Sequence, residues 1–132
     1  MTYKAYKKQA LEDLKKYPYL KSSLVTLSQR IDLLKKISAS SADSPGQSVI
    51  ADEIEQLSDT LHTNTVYVDC IEQALSCLPQ NEQKLIAAYY IHRQRGVVEN
   101  LSISNYSDRS TIYRRAQKAL EHYTLSYFGQ AK

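Results

Sequence analysis

The sequence predicts an all-α protein, in which a long helical hairpin or coiled coil is followed by a C-terminal helix-turn-helix domain. Three observations predict it. Over two long stretches the apolar residues recur at steps of four and three, the spacing of helices that pack along a seam. Helix breakers are scarce, with three Gly and three Pro in 132 residues, so the segments between them can be long. Charge comes in blocks: residues 1–38 hold nine Lys/Arg against three Asp/Glu, residues 39–78 hold seven Asp/Glu and no Lys/Arg, and residues 79–132 hold eight against four. The predicted division is a hairpin for oligomerisation or interaction over 1–77 and the helix-turn-helix domain over 78–132.

The elements follow in order. Tyr3, Tyr6, Ala10 and Leu14, with Leu11 beside them, sit near helical spacing and predict a short helix from Tyr3 to Lys16. Pro18 disfavours helix at the residue before it and is welcome at a new helix start, so a second helix is expected from Tyr19 to Ser38. Its seam is Leu20, Leu24, Leu27, Ile31 and Leu34. The stretch "ASSADSPGQS" from Ala39 to Ser48 is a loop by composition. The longest helix is expected from Val49 to Cys77, with its seam at Ile50, Ile54, Leu57, Leu61, Asn64, Val68, Ile71, Leu75 and Leu78. Asn64 interrupts the apolar line, and a polar residue at one seam position fixes register at a cost in stability. Basic Lys21, Arg30, Lys35 and Lys36 stand on one seam helix, and acidic Asp52, Glu53, Glu55, Asp59, Asp69 and Glu72 on the other. They predict an antiparallel pair or bundle, and the seams also allow a parallel homodimer.

After Leu78–Pro79 the pattern resets. Pro79 or Gln80 starts a helix with Leu85, Ile86, Tyr89 and Tyr90 on one side, and Gly96 is expected to close it. "VVENLSI" predicts a short helix with Val97, Val98 and Leu101 inward, followed by a turn at Ser104–Asn105. Ser107 or Asp108 can then cap the last helix by accepting a bond from a free backbone N–H.

Several function classes are set aside. Cys70 and Cys77 lie seven apart in one helix, a rise of about 10.5 Å, beyond the reach of a disulfide. They read as reduced, buried small hydrophobes. His62, His92 and His122 are scattered without metal-ligand spacing, so neither a metal nor a cofactor is expected. No nucleophile, base and orienting group stand at workable spacing, and no enzyme is expected. The longest apolar run, Leu85 to Ile91, is far short of a membrane span, and the N-terminal residues show no signal pattern. The expected location is the cytoplasm.

The last helix carries the functional signal. At about 100° per residue, Ile112, Ala116, Ala119, Leu120 and Tyr123 form one stripe. Opposite lie Ser110, Arg114, Gln117, Lys118 and Glu121, with Thr111 and Tyr113 flanking and Arg109 in the first turn. Arg109, Arg114 and Lys118 can reach phosphates, while Arg114, Gln117 and Ser110 can read base edges. Arg93 and Arg95, before Gly96, are candidate phosphate contacts. A short helix, a tight turn and a capped basic helix are the parts of a helix-turn-helix.

The stretch "LPQNEQKLIAAYYI…GVVENLSIS…YSDRSTIYRRAQKALEHY" resembles region four of the sigma-70 class, the domain that reads the upstream promoter element. Leu78, Pro79, Glu82, Ser107, Ser110, Thr111, Arg114, Lys118, Ala119 and Leu120 carry the likeness. With the basic and acidic helices before it, the whole chain resembles the ArpU-like and RinA-like late-gene activators of phages. The resemblance implies a sequence-specific transcriptional regulator that binds double-stranded DNA and acts with bacterial RNA polymerase. A packaging or assembly subunit that holds DNA without sequence choice, and a polymerase-binding module that binds no DNA, are the competing expectations.

Overall fold

The structure, a computed structural model, describes residues 1–40, 46–105 and 107–132. It is all-α, with no strand among the described residues. Among them five α-helices follow one another: α1 (Tyr3–Ser40), α2 (Gln47–Ser76), α3 (Gln80–Ile86), α4 (Val97–Ser104) and α5 (Arg109–Phe128). A π-helical turn, Ala87–Ile91, continues α3. Of the predicted loop at 39–48, residues 41–45 lie outside the described residues, as does Tyr106. Ala39 and Ser40 close α1, and Gln47 and Ser48 open α2.

The two helices predicted before the loop are one. Pro18 lies inside α1, which runs through it unbroken. Proline removes one backbone donor and crowds the carbonyl four residues earlier, at a cost of about 3 kcal/mol in a helix interior. Packing on the turn before it offsets that cost. Leu14 is fully buried, and the Tyr17 hydroxyl donates to Glu72 Oε2 at 2.6 Å, tying this turn of α1 to α2.

The chain forms two compact units, and they do not divide at 77/78. Met1–Pro18 joins Cys70–Lys132 in one, and Tyr19–Asp69 makes the other. The second unit is an antiparallel hairpin. Ser38 Oγ donates to Gln47 Oε1 at 2.6 Å, Arg30 pairs with Glu53 at 3.2 Å, and Asn64 Nδ2 donates to Ser23 Oγ at 2.9 Å. As the number on α1 falls, the number on α2 rises, which sets both direction and register. Asn64 thus has a cross-helix partner at its interrupted seam position. Ile31, Leu34 and Val68 are buried in this unit, while Leu20, Leu24, Leu27, Ile50, Ile54, Leu57 and Leu61 are half-buried.

The first unit has a tighter core. Ala10 and Leu14 of α1, Ile71 and Ala74 of α2, Ile86, and Ile112, Ala116 and Tyr123 of α5 are all buried. Ser126 Oγ donates to the Ala74 carbonyl at 3.0 Å, and the Tyr6 and Phe128 rings lie 5.2 Å apart. Asp13 is buried with them, and Gln9 Nε2 donates to its Oδ1 at 2.8 Å. The two cysteines are free, as expected, but exposed rather than buried. The inward side of α2 and of the turn after it is taken by Ile71, Ala74 and Leu78, and Cys70 and Cys77 are left exposed.

The segment after Pro79 also differs from expectation. The helix ends at Ile91, and Gly96 does not close it. Gly96 instead stands immediately before α4 with φ 80°, a left-handed conformation that glycine adopts without steric penalty. The widened turn at 87–91 closes with the His92 N–H donating to the Ala87 carbonyl at 2.8 Å. It keeps Tyr89 and Tyr90 both buried, edge to face with centroids 4.9 Å apart. Val97, Val98 and Leu101 of α4 are half-buried rather than enclosed.

Candidate nucleic-acid interface

The start of α5 is built by one carboxylate. Asp108 has extended backbone and caps the helix, its Oδ1 accepting from the Thr111 N–H at 2.7 Å and the Ser110 hydroxyl at 2.9 Å. These bonds favour the ionised form and hold the Asp108 carboxyl at about 2, below the usual carboxylate range. Of the two capping candidates in the sequence, Asp108 therefore caps. Ser107 instead donates to the Asn105 carbonyl at 3.1 Å and accepts from Arg115 Nη1 at 3.3 Å. At the far end Gly129, with φ 69°, terminates α5 by donating to the Leu125 carbonyl at 2.8 Å.

The predicted stripe is the buried one. Ile112, Ala116, Ala119, Leu120 and Tyr123 are closed off from solvent, and Thr124 joins them, its hydroxyl turned back to the Leu120 carbonyl at 2.8 Å. The opposite side is open. Arg114 and Lys118 are exposed, one turn apart, and neither has an ion-pair partner among the described residues. Arg114 Nη2 makes only a long bond, 3.4 Å, to Thr111 Oγ1. Gln117 is half-buried beside them, and Tyr113 is exposed.

The other candidates are tied more closely to structure. Arg109 pairs with Glu99 of α4, so one of its edges holds the two helices together. Ser110 and Thr111 serve the cap. Arg93 lies over the Tyr89 ring, 4.6 Å from its centroid, where the negative ring face attracts the guanidinium. Arg93, Arg95 and Arg109 nevertheless line one hollow of about 280 Å³ with Glu99 on its wall. The structure therefore brings the two loop arginines beside the first turn of α5, which spacing along the chain does not reveal.

Two cations escaped the sequence reading. Arg115 and Lys84 border a cleft of about 280 Å³ whose lining also includes Asn81, Leu85, Leu101, Asn105 and Ile112. Arg115 lies about 100° around the helix from Arg114. Its flank of α5 faces α3, where His122 Nδ1 meets the Glu82 carboxylate at 2.7 Å. The adjacent Arg–Arg pair was the available signal, but only the position of α3 separates their surroundings. A comparison of the chain with known protein families, curated proteins and solved structures finds no match in any of the three.

Proposed function

We propose that this protein is a sequence-specific DNA-binding regulator of transcription that lays α5 in the major groove of a duplex. The observation that carries the reading is the exposed Arg114–Lys118 strip, without an ion-pair partner among the described residues, opposite the buried stripe of a capped helix. α4, the turn and α5 then correspond to a helix-turn-helix, with α3 bracing it through the Glu82–His122 contact. Arg114 and Gln117 are the base readers, and Lys118 with the Arg93, Arg95 and Arg109 group takes backbone phosphates. The resemblance to sigma region four and to phage late-gene activators adds bacterial RNA polymerase as the second partner.

A genome-fragment selection followed by titration tests this. The preferred fragment should bind at least about 10³-fold more tightly than random duplex at the same salt. Equal affinity for both, with a steep loss on adding salt, would replace the reading by non-specific DNA holding. No binding to either would remove DNA from the function.

A further inference from the structure

The hairpin unit exposes apolar residues on one side. Tyr19 is 79 % exposed, Leu33 53 %, Ile37 42 %, Val49 67 % and Tyr67 47 %. At about 100° per residue, Tyr19, Leu33 and Ile37 fall within about 40° of one another on α1, and Val49 and Tyr67 share one direction on α2. The Arg30–Glu53 pair crosses between the helices beside both groups, which puts them on the same face. The register of the hairpin makes Ile37 level with Val49, and Tyr19 level with Tyr67. The face thus has an apolar patch at each end.

Between the patches it is almost free of charge. Thr26 and Thr60 turn their hydroxyls back to the Ser23 and Gln56 carbonyls at 3.3 and 3.0 Å, which leaves their methyl groups outward. Arg30 and Glu53 neutralise each other. Covering such a face strands no net charge from the Arg30–Glu53 pair, leaves Asp52 at its edge, and requires the Gln56 amide to find a hydrogen-bond partner on the other copy.

We propose that a second copy of this chain docks on this face, hairpin alongside hairpin, with α1 of each copy over α2 of the other. A two-fold axis along the hairpins then brings each apolar patch onto its own equivalent. It sets Arg30 of each copy over Glu53 of the other, because the two are level in the hairpin. The reversed arrangement, tips to bases, would lay α1 on α1 and align like charges. A strip about 33 Å long and 20 Å wide on each copy gives about 1,300 Å² in total, inside the range of specific interfaces. It also covers the near edge of the half-buried seam, Leu27 and Leu57, which two helices alone leave open. The product is a four-helix bundle whose neighbours are all antiparallel.

Sedimentation equilibrium on the full chain, without DNA, tests this separately from the proposed function. The expected species has twice the 15.1 kDa chain mass at micromolar concentration. Ile37→Glu and Val49→Lys should each weaken self-association by about 100-fold, because each sets a charge against the partner's apolar patch. Joined in one chain, they should recover most of the loss, since the introduced carboxylate of each copy then faces the introduced ammonium of the other. Val25→Lys, exposed on α1 but away from this face, should change nothing. Circular dichroism should stay constant throughout, because the replaced side chains are exposed in the single chain. A monomer at every concentration, or single variants that dimerise normally, would overturn the proposal. Failure of the paired variant to recover would overturn the aligned arrangement.

Discussion

In Met1–Pro18 with Cys70–Lys132, Leu14, Ile71, Ile86, Ile112 and Tyr123 are shut away from water, whereas among the described residues of Tyr19–Asp69 only Ile31, Leu34 and Val68 are buried. The seams in the two units have the same spacing and similar residues. What differs is the number of elements that close around them. Two helices can cover one stripe between them, and its edges stay wet. In the larger unit the ends of α1 and α2 meet α5, which itself packs on α3 and α4, so the same kind of stripe is covered from several sides. Heptad spacing therefore specifies that helices pair. How much each residue contributes depends on how many neighbours enclose it.

The largest test of this difference is a pair of core truncations. Ile71→Ala should cost about 2–5 kcal/mol in denaturant unfolding, the range for a fully enclosed side chain. Leu24→Ala, half-buried in the hairpin, should cost about 1–2 kcal/mol, because part of its surface is already hydrated. Equal losses would erase the distinction between the units.

On the surface of the larger unit, Arg114→Ala should weaken binding to the preferred duplex by about 1–3 kcal/mol and relax choice at one base pair. Stability should be unchanged, since Arg114 is exposed. Titrations over a panel of single-base variants check both halves of this expectation. Lys118→Ala should instead weaken all sequences alike and lower the salt slope by about one unit.

Two carboxylates give smaller effects of opposite sign. Burial raises the Asp13 pKa, so folding disfavours its charged form. The penalty is present at neutral pH and fades as pH falls through the raised folded value toward the usual one. Asp13→Asn keeps an acceptor for Gln9 and should raise the melting temperature at pH 7, with the gain vanishing as pH falls below the ordinary carboxylate range. Asp108 is the reverse case, because its cap bonds lower its pKa to about 2. Its contribution is full above the ordinary carboxylate range and is lost as pH falls through about 2. Asp108→Ala should lower the melting temperature at pH 7 and flatten the acid side of the stability profile. A thermal scan across pH that showed parallel curves for both variants would remove these assignments.

Much of the arrangement was legible in the residues themselves. The buried stripe of α5, its open cationic side and a cap at Ser107 or Asp108 follow from spacing and from which side chains accept backbone bonds. The antiparallel pairing was one of the two arrangements that the charge blocks and the breaker-poor seams allowed, with Asn64 as the odd position. The break expected at Pro18 did not form, because a local penalty was outweighed by Leu14 and Tyr17 packing on the preceding turn. Cys70 and Cys77 read as core because small apolar residues commonly are, yet Ile71, Ala74 and Leu78 already fill that face. Arg93, Arg95 and Arg109 looked like separate contacts until the chain folded back at Gly96.

By itself, then, the sequence determined where helices lie, which stripe each one hides and which sign of charge it shows, because these depend on neighbours three and four residues away. Only the tertiary structure decided the length of α1, the membership of the two units and the surroundings of Arg114 and Arg115. Those depend on contacts between residues far apart in the chain, such as Tyr17 with Glu72 and Ser126 with Ala74, and periodicity carries no information about them.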